Sequence, residues 1–294
     1  MLVEEISGAS DYRRNDMFII WFLSQNLYYK SMLTKSKITY IQFLHEKSGR
    51  RESRCFIVEW KKGIEEFLAS DFEIVEWFFI ENPLKEYEFP YEIITEKELG
   101  KITTLGNNNY GLIVVKMRTS HSDEGRISTE KNRETEQIPR PSEWQKSDKF
   151  TLILDGINDP GNLGTIIRIA DWYGISHIVC SLDTVDCYNP KVIMATMGSL
   201  TRVSLFYTDL RGYLAWIDRK VYWAYLEGES IHTKKFTQCE WYLVIGSESH
   251  GISPHLEQYI TDKITIPRLG LAESLNAGVA TAIMLDRMTE RYVR

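Results

Sequence analysis

Three segments in the second half of the sequence carry Gly, Pro and polar residues directly after an apolar run that predicts a buried strand. In the first, Asp159, Pro160, Gly161 and Asn162 form a predicted turn into a helix, and Arg168 follows six residues after Asn162. Six residues span about 240° around an ideal helix. If Asn162 is still in the turn, it projects forward while Arg168 reaches up from the second helical turn. The alternative is an Asn cap with a surface Arg.

The second segment is VIGSESHGIS, residues 244–253. Gly246 ends the predicted strand, Glu248 lies in the turn, and Gly251 permits a positive φ. A carboxylate between two glycines can bind ribose hydroxyls, a base edge or an amino group. It can equally cap the helix predicted after Pro254.

The third segment is IPRLGLAESLNAGVATAI, residues 266–283. Pro267 and Gly270 predict an irregular loop, and Ser274 and Asn276 follow at the start of a long helix. Ser274 taken alone is a helix cap. Small residues on the helix allow another backbone to approach, and they are Ala277, Gly278 and Ala280.

The elements that must position these segments alternate between strands and helices after Phe150. Predicted strands are TLILD, HIVC, VSLF, VYWAYL, WYLVIG and KITIP, and predicted helices are NLGTIIRIADWYG (with Gly174 as its cap), PKVIMATMG and ESLNAGVATAIMLDRMTERY. This order predicts an α/β fold with a mostly parallel, doubly wound sheet. Ligands bind such sheets at the carboxyl ends of the strands.

Residues 32–117 predict a separate, small α/β domain. Its predicted helices are KITYIQFLHEK and KKGIEEFLAS, and its predicted strands are RCFIVEW, VEWFFI and YGLIVVK. Between residues 32 and 62 there are eight Lys and Arg against three Glu, an excess that can bind the phosphates of a nucleic acid. A solvated helix face is the alternative. The candidate nucleic-acid contacts are Lys35, Lys37, Lys47, Arg50, Arg51 and Arg54.

Length and composition fit two globular domains, with 294 residues, 43% hydrophobic, 26% charged and a net charge of -6. Residues 118–149 are poor in apolar side chains and predict a flexible linker, the alternative being a long surface loop. Residues 1–31 are interpreted as an extension. Their apolar run, residues 17–23, is shorter than the roughly 20 residues that span a bilayer. Four scattered cysteines without a CxxC pair predict no metal site and a cytoplasmic location.

Together the three segments resemble the three ordered motifs of the SpoU/TrmH branch of SPOUT RNA 2′-O-ribose methyltransferases. The motifs correspond to Asn162 with Arg168, to residues 246–251, and to residues 266–276. The segment YNPKVIMATMGS is also similar to the family, with Met194 where Arg is common and Thr196 where Ser is common. The resemblance covers residues 150–294.

The resemblance implies methyl transfer from S-adenosylmethionine to a ribose 2′-hydroxyl of tRNA or rRNA. It also implies a C-terminal trefoil knot and a homodimer with its site near the subunit interface. The implied catalytic residues are Asn162, Arg168, Glu248, Ser274 and Asn276. The implied cofactor contacts, largely through backbone groups, are Gly246, Ile266 and Leu275, with Thr196, Gly198 and Pro267 beside them.

Residues 36–66 resemble the opening of the ribosomal-protein-like substrate-binding domain that is fused to many relatives, with Trp60 in place of a Gly. A non-catalytic RNA-binding protein that retains the fold is the alternative function. A dinucleotide-binding oxidoreductase is disfavoured, because no predicted strand is followed by GxGxxG. Methylation of a base instead of a ribose also remains open.

Overall fold

The computed structural model describes residues 33–80, 91–118, 150–236 and 241–290, together with the backbone of residues 28–30. The predicted extension therefore lies outside the described residues except at residues 28–30, and the predicted linker lies outside them except at Arg118. No helix within the described ranges is long and apolar enough to cross a membrane.

The N-terminal half forms a five-stranded mixed sheet. Its strand order is β1-β4-β3-β5-β2, in which β1, β4 and β3 are parallel and β5 is antiparallel to both of its neighbours. Its elements are β1 (Tyr28–Lys30), α1 (Lys35–His45), α2 (Lys47–Ser53), β2 (Cys55–Glu59), α3 (Lys61–Leu68), β3 (Ile74–Phe79), β4 (Tyr91–Ile93), α4 (Glu96–Ile102) and β5 (Gly111–Lys116).

Alternating side chains of this sheet serve two different cores, as the period of a strand requires. Ile57 and Val114 pack on one side with Leu44 of α1 and with α4. Phe56 and Val115, one residue along each strand, point to the other side. The structure confirms the predicted α1, α3, β2, β3 and β5, whereas α2, α4, β1 and β4 had no prediction.

Trp60, between β2 and α3, has a φ of +82°, in the region that glycine adopts readily. A bulky residue is rare in this region. Gly63 makes room for the indole, because a Cβ at Gly63 would lie 2.5 Å from the Trp60 ring.

The C-terminal half forms a six-stranded sheet in which every pairing is parallel, as predicted. The strand order is β11-β9-β10-β6-β7-β8. Its elements are β6 (Phe150–Asp155), α5 (Pro160–Trp172), β7 (His177–Ser181), α6 (Pro190–Thr196), β8 (Ser204–Thr208), α7 (Leu210–Leu214), β9 (Lys220–Ser230), β10 (Trp241–Gly246), β11 (Asp262–Thr265) and α8 (Ala277–Thr289), with 3-10 helices at Ser199–Thr201 and Pro254–Tyr259.

Helices cover both faces of this sheet. One core is formed by α5, α6 and α8, which bury residues such as Ile166, Val192 and Leu285 against the strands. On the other face α7 and the 3-10 helix at Pro254–Tyr259 bury Leu214 and Leu256. This double covering explains why the strands are continuous apolar runs instead of alternating ones.

Candidate active site

The central strands β6 and β10 end together at the carboxyl edge of the sheet, with Gly246 paired to Asp155. Asp155 is buried, and its carboxylate accepts hydrogen bonds from the Ser253 backbone N–H at 2.6 Å and the Ser253 hydroxyl at 3.0 Å. The turn after β10 is thereby fixed to the end of β6.

The turn itself is closed by two backbone hydrogen bonds between Ser247 and Gly251, of 2.9 and 2.8 Å. Gly251 has a φ of +68°, which confirms its predicted conformation. Gly246 cannot bear a side chain, because a Cβ would lie 2.4 Å from the Gly251 carbonyl carbon. Glu248 stands exposed in this turn. It does not cap the following helix, since Ser253 occupies that position.

Asn162 lies inside α5, where the sequence had suggested a turn. Asp159 is the N-cap, and its carboxylate accepts from the Asn162 backbone N–H at 2.8 Å, so the helix starts at Pro160. The Asn162 side chain bonds in two directions. Its Nδ2 donates to Glu248, and its Oδ1 accepts from Asn276 Nδ2 at 2.6 Å. One residue from each of the three motifs thus joins a single hydrogen-bonded chain.

Asn276 is the N-cap of α8, because its Oδ1 accepts from the Val279 backbone N–H at 3.2 Å. The helix therefore begins later than the sequence predicted, and Ser274 is not a cap. Ser274 lies exposed in the preceding loop, two residues from Asn276.

The loop that leads into α8, residues 267–276, is exposed along its whole length and includes Pro267. Two of its three leucines, Leu269 and Leu271, are almost fully exposed. Arg268 braces the loop by donating to the Ala272 carbonyl at 3.1 Å. None of the backbone N–H groups of residues 268–276 donates to a residue in the described ranges. These peptide groups are available to a polar ligand.

Arg168 does not join the hydrogen-bonded chain. Its side chain is exposed and forms no ion pair or hydrogen bond with the residues that the structure describes. It lies on the outer face of α5 in the same row as Thr165 and Trp172, and Trp172 is 85% exposed.

Two predicted cofactor contacts lie elsewhere. Thr196 is fully buried at the end of α6, where its hydroxyl donates to the Ile193 carbonyl at 2.8 Å. Gly198 packs against α3, because a Cβ there would lie 2.6 Å from the Glu66 side chain. A helix that connects parallel strands runs back from the carboxyl edge, so the end of α6 points away from Gly246. Met194, in the place of the family's Arg, is 41% exposed.

The predicted RNA contacts divide into three groups. Arg50 is 1% exposed and bonded to Asp186, so it is buried and not an RNA contact. Lys37 is partly exposed and bound to Glu76 and Glu92. The exposed or partly exposed remainder is Lys35, Lys47, Arg51 and Arg54.

Asp155, Asp159 and Ser253 were not predicted as site residues, although all three hold the site segments in place. A signal for two of them was present in the sequence. Asp159 precedes a Pro at a helix start, and Ser253 precedes Pro254, both patterns of helix N-caps. The contact between Asp155 and Ser253 joins residues 98 positions apart, and no local pattern predicts it.

Known proteins resemble this chain in sequence and in fold. The model of the SpoU rRNA methylase family matches residues 149–286. The 23S rRNA (guanosine(2553)-2′-O)-methyltransferase RlmP of Bacillus subtilis is 30% identical over 148 residues, which are 49% of this chain and 60% of RlmP. The chain spans 60–64% of the length of this and the next two curated relatives.

Two solved structures resemble the chain across both halves. A Porphyromonas gingivalis protein assigned to the TrmH family of RNA methyltransferases is 30% identical, with a TM-score of 0.72 over 89% of this chain and 100% of that one. An rRNA methyltransferase from Sinorhizobium meliloti, solved with AdoMet bound, is 25% identical, with a TM-score of 0.75 over 90% of this chain and 98% of that one.

A parallel α/β domain whose three motif segments meet at its carboxyl edge has the architecture of a SpoU-type methyltransferase domain. The chain belongs to the SpoU/TrmH family of RNA methyltransferases.

Proposed function

We propose that this protein transfers the methyl group of S-adenosylmethionine to a ribose 2′-hydroxyl of RNA. The observation that carries the proposal is the hydrogen-bonded chain from Glu248 through Asn162 to Asn276, which joins the three motif segments. The name of RlmP, a 2′-O-methyltransferase of 23S rRNA, supports the same reaction. The substrate class is rRNA or tRNA.

The cofactor would be held mainly by backbone groups of Gly246, Ile266, Pro267 and Leu275. This fits the exposed loop 267–276, whose peptide N–H groups are free to bond a base edge or a carboxylate. When bound, S-adenosylmethionine supplies the reactive methyl carbon and a neutral leaving group. Thr196 and Gly198 are left out of this site, because Thr196 is buried at the end of α6 and Gly198 packs against α3.

The task of the side chains is to orient the ribose and to help its proton leave. Orientation can supply about 7–11 kcal/mol, whereas proton transfer gives about 10²–10⁴-fold in rate, so positioning is the larger effect. Glu248, Asn162 and Asn276 hold one another, and with Ser274 they face the nucleotide. A guanidinium is hard to deprotonate. We therefore assign Arg168 to the adjacent phosphate and to the developing alkoxide.

A second copy of the chain is the proposed partner. Exposed apolar side chains continue from Trp172 on α5 to Val279 and Ile283 on α8, and these helices touch closely where Gly278 meets Thr165. An apolar surface of this kind marks an interaction site, and a two-fold axis would cover it on both copies. Arg168 lies in the same surface, so it would face the partner's site.

We also propose that the C-terminal segment forms the family's trefoil knot. In support, β10 inserts between β6 and β9, the chain then crosses to β11 beyond β9, and α8 returns to pack on α5. A return of this kind requires the chain to pass a segment already laid down, which ordinary α/β folds avoid.

The N-terminal domain, residues 32–117, is the proposed RNA-binding domain, and residues 118–149 link it to the methyltransferase domain, residues 150–294. Lys35, Lys47, Arg51 and Arg54 would contact phosphates, which makes binding weaken as salt rises. A protein that modifies rRNA or tRNA works where those RNAs are, and we place it in the cytoplasm.

The test is transfer of a tritiated methyl group from S-adenosylmethionine to RNA from cells that lack the protein. Nuclease digestion and mass analysis then identify the product. A 2′-O-methylnucleoside is expected. A base-methylated nucleoside would mean a different acceptor, and RNA binding without transfer would favour the non-catalytic alternative.

A further inference from the structure

Arg50, on α2 of the N-terminal domain, is the most deeply buried charged side chain of that domain's described residues. Its Nε and Nη2 donate to one carboxylate oxygen of Asp186, at 3.2 and 2.8 Å. Its Nη1 donates to the carbonyls of Leu44 and His45, at 3.2 and 2.7 Å. The guanidinium thus bonds to both halves of the chain.

Asp186 belongs to the loop between β7 and α6 of the methyltransferase domain. Its second carboxylate oxygen accepts from the Tyr188 backbone N–H at 3.1 Å, so both oxygens are used. A buried charge is stable only with an opposite charge and hydrogen bonds around it. Neither Arg50 nor Asp186 has another charged partner within the described ranges, so each depends on the opposite domain.

Apolar contacts surround this ion pair. The ring of Phe56, on β2, lies 4.6 Å from the ring of Tyr188. One continuous apolar core contains Phe56 of β2 and Phe67 of α3 together with Val192 and Leu200 of the methyltransferase domain. The side of the N-terminal sheet that faces away from α1 is therefore closed by the other domain.

A second charged contact lies nearby. Arg202 donates to Glu66 of α3 at 2.6 Å and to Asp171 of α5 at 2.9 Å. Arg202 is about half exposed, so this contact contributes little stability. The contact does fix the orientation of α3 relative to α5. This orientation bears on the site because α5 also carries Asn162 and Arg168. Gly198 allows the close approach, with Glu66 where its Cβ would be.

The two solved structures support the same arrangement of the domains, because each superposes on 89–90% of this chain with a TM-score above 0.7.

We infer that Arg50 and Arg202 are positioning residues that lock the substrate-binding domain onto the methyltransferase domain as one rigid unit. Resting on the proposed function, this means that the RNA-binding face stands at a fixed distance from the site. The enzyme would then select its nucleotide partly by where the rest of the RNA is held.

Calorimetric unfolding of the full chain tests the lock. We expect one cooperative transition for the wild type. Arg50→Ala with Arg202→Ala should split it into two, and the first should fall by roughly 10 °C. Arg51→Ala, on the same helix but exposed, is the matched control and should leave one transition. Asp186→Asn removes the same contact from the methyltransferase side, so it should also split the transition. A single, unsplit transition in Asp186→Asn would mean that Arg50→Ala acts by damaging the N-terminal fold, which would contradict the inference. Two transitions in the wild type, or one unshifted transition in the double variant, would overturn the inference.

Steady-state transfer to RNA from cells lacking the protein gives the second readout. The double variant should raise the KM for RNA at least ~10-fold through the lost effective concentration. Its kcat and its affinity for S-adenosylmethionine should stay at the wild-type level. A fall in kcat with an unchanged KM would point to plain structural damage and contradict a positioning role. If the wild type methylates no RNA, the proposed function fails, while calorimetry still decides the lock.

Discussion

Asn276 Nδ2 donates to Asn162 Oδ1 at 2.6 Å, across 114 positions of sequence. Each amide is held by a further bond, Asn276 to the Val279 N–H and Asn162 to Glu248. The cap of one helix and the first turn of another therefore place a carboxylate at the rim of the sheet. Because both partners of Asn162 are fixed, its amide can face only one way.

Removing the amide in the middle of this chain should uncouple Glu248 from Asn276. We expect Asn162→Ala to lower kcat by ~10²-fold, since small misplacements of catalytic groups have effects of that size. The Kd for S-adenosylmethionine should change little, because backbone groups hold the cofactor. Methyl-transfer kinetics and calorimetric titration measure the two quantities. Asn107→Ala, at an exposed site of the N-terminal domain, is the control. Equal losses in kcat and cofactor affinity would show that Asn162 only supports the fold.

Substitution of Arg168 tests whether each active site is formed by residues of two copies of the chain. Arg168→Ala should abolish transfer and leave S-adenosylmethionine binding nearly intact. Mixing Arg168→Ala with Glu248→Ala chains should restore part of the activity, because a mixed dimer contains one site with Glu248 from one copy and Arg168 from the other.

The comparison for this mixture is each variant alone at the same total concentration, with the dimer checked by sedimentation. No recovery in a confirmed mixed dimer would mean that Arg168 serves the site of its own chain. Arg211→Ala, which removes an exposed arginine of α7 paired with Asp209, should keep full activity.

Much of the methyltransferase domain was predictable, because its strands are long apolar runs and its turns carry Gly and Pro at the strand ends. The first residues of its helices were harder to predict. The start of α5 depends on the Asp159 side chain accepting from Asn162, and the start of α8 depends on Asn276, not Ser274. Such helix boundaries depend on which side chain forms the cap hydrogen bond, and several neighbouring residues could have served as the N-cap.

Arg50 shows why charge counting misled at the N-terminal domain. In the sequence, Arg50 is one of several neighbouring basic residues. The local excess of positive charge therefore predicted that Arg50 binds phosphate. Its actual partner, Asp186, lies 136 positions away, and only the packing of the domains brings the two together. The same holds for the contact between Gly198 and Glu66.

Helix packing behind the site gives a stability test with a matched pair of glycines. A Cβ at Gly164 of α5 would lie 2.4 Å from the Ala195 Cβ and 2.9 Å from the Val192 carbonyl oxygen of α6. Overpacking costs about 1–3 kcal/mol, and replacing a helical Gly by Ala returns about 1 kcal/mol. Gly164→Ala should therefore lower the free energy of unfolding by about 0–2 kcal/mol in urea titrations.

Gly100 of α4 is the counterpart, since nothing lies within 4 Å of its Cβ position. Gly100→Ala should raise the free energy of unfolding by about 0.5–1 kcal/mol, because it gains helix propensity without a clash. If both substitutions stabilised the protein, the close contact of α5 with α6 would be wrong.

Asp262, at the start of β11, should make the stability of the protein depend on acid pH. Burial raises the pKa of this carboxyl, but hydrogen bonds from Lys220 and Lys234 outweigh burial, and the pKa lies below its ordinary value of 3.8. A pKa depressed in the folded state means that the unfolded chain binds the proton more readily. The stabilisation is thus complete above pH 3.8 and is lost as the pH falls through the folded pKa.

Asp262→Asn should therefore lower the free energy of unfolding at pH 7, by about 1–3 kcal/mol for lost charged hydrogen bonds. The difference from the wild type should shrink as the pH falls below 3.8. Urea titrations at several pH values measure both quantities. Asp218→Asn removes an exposed carboxylate just before β9, one without an ion pair to any described residue, and it should leave the pH profile unchanged. Since β11 leads directly into the loop proposed to hold S-adenosylmethionine, a pH-independent difference would mean that the lysines do not fix this strand through the charge of Asp262.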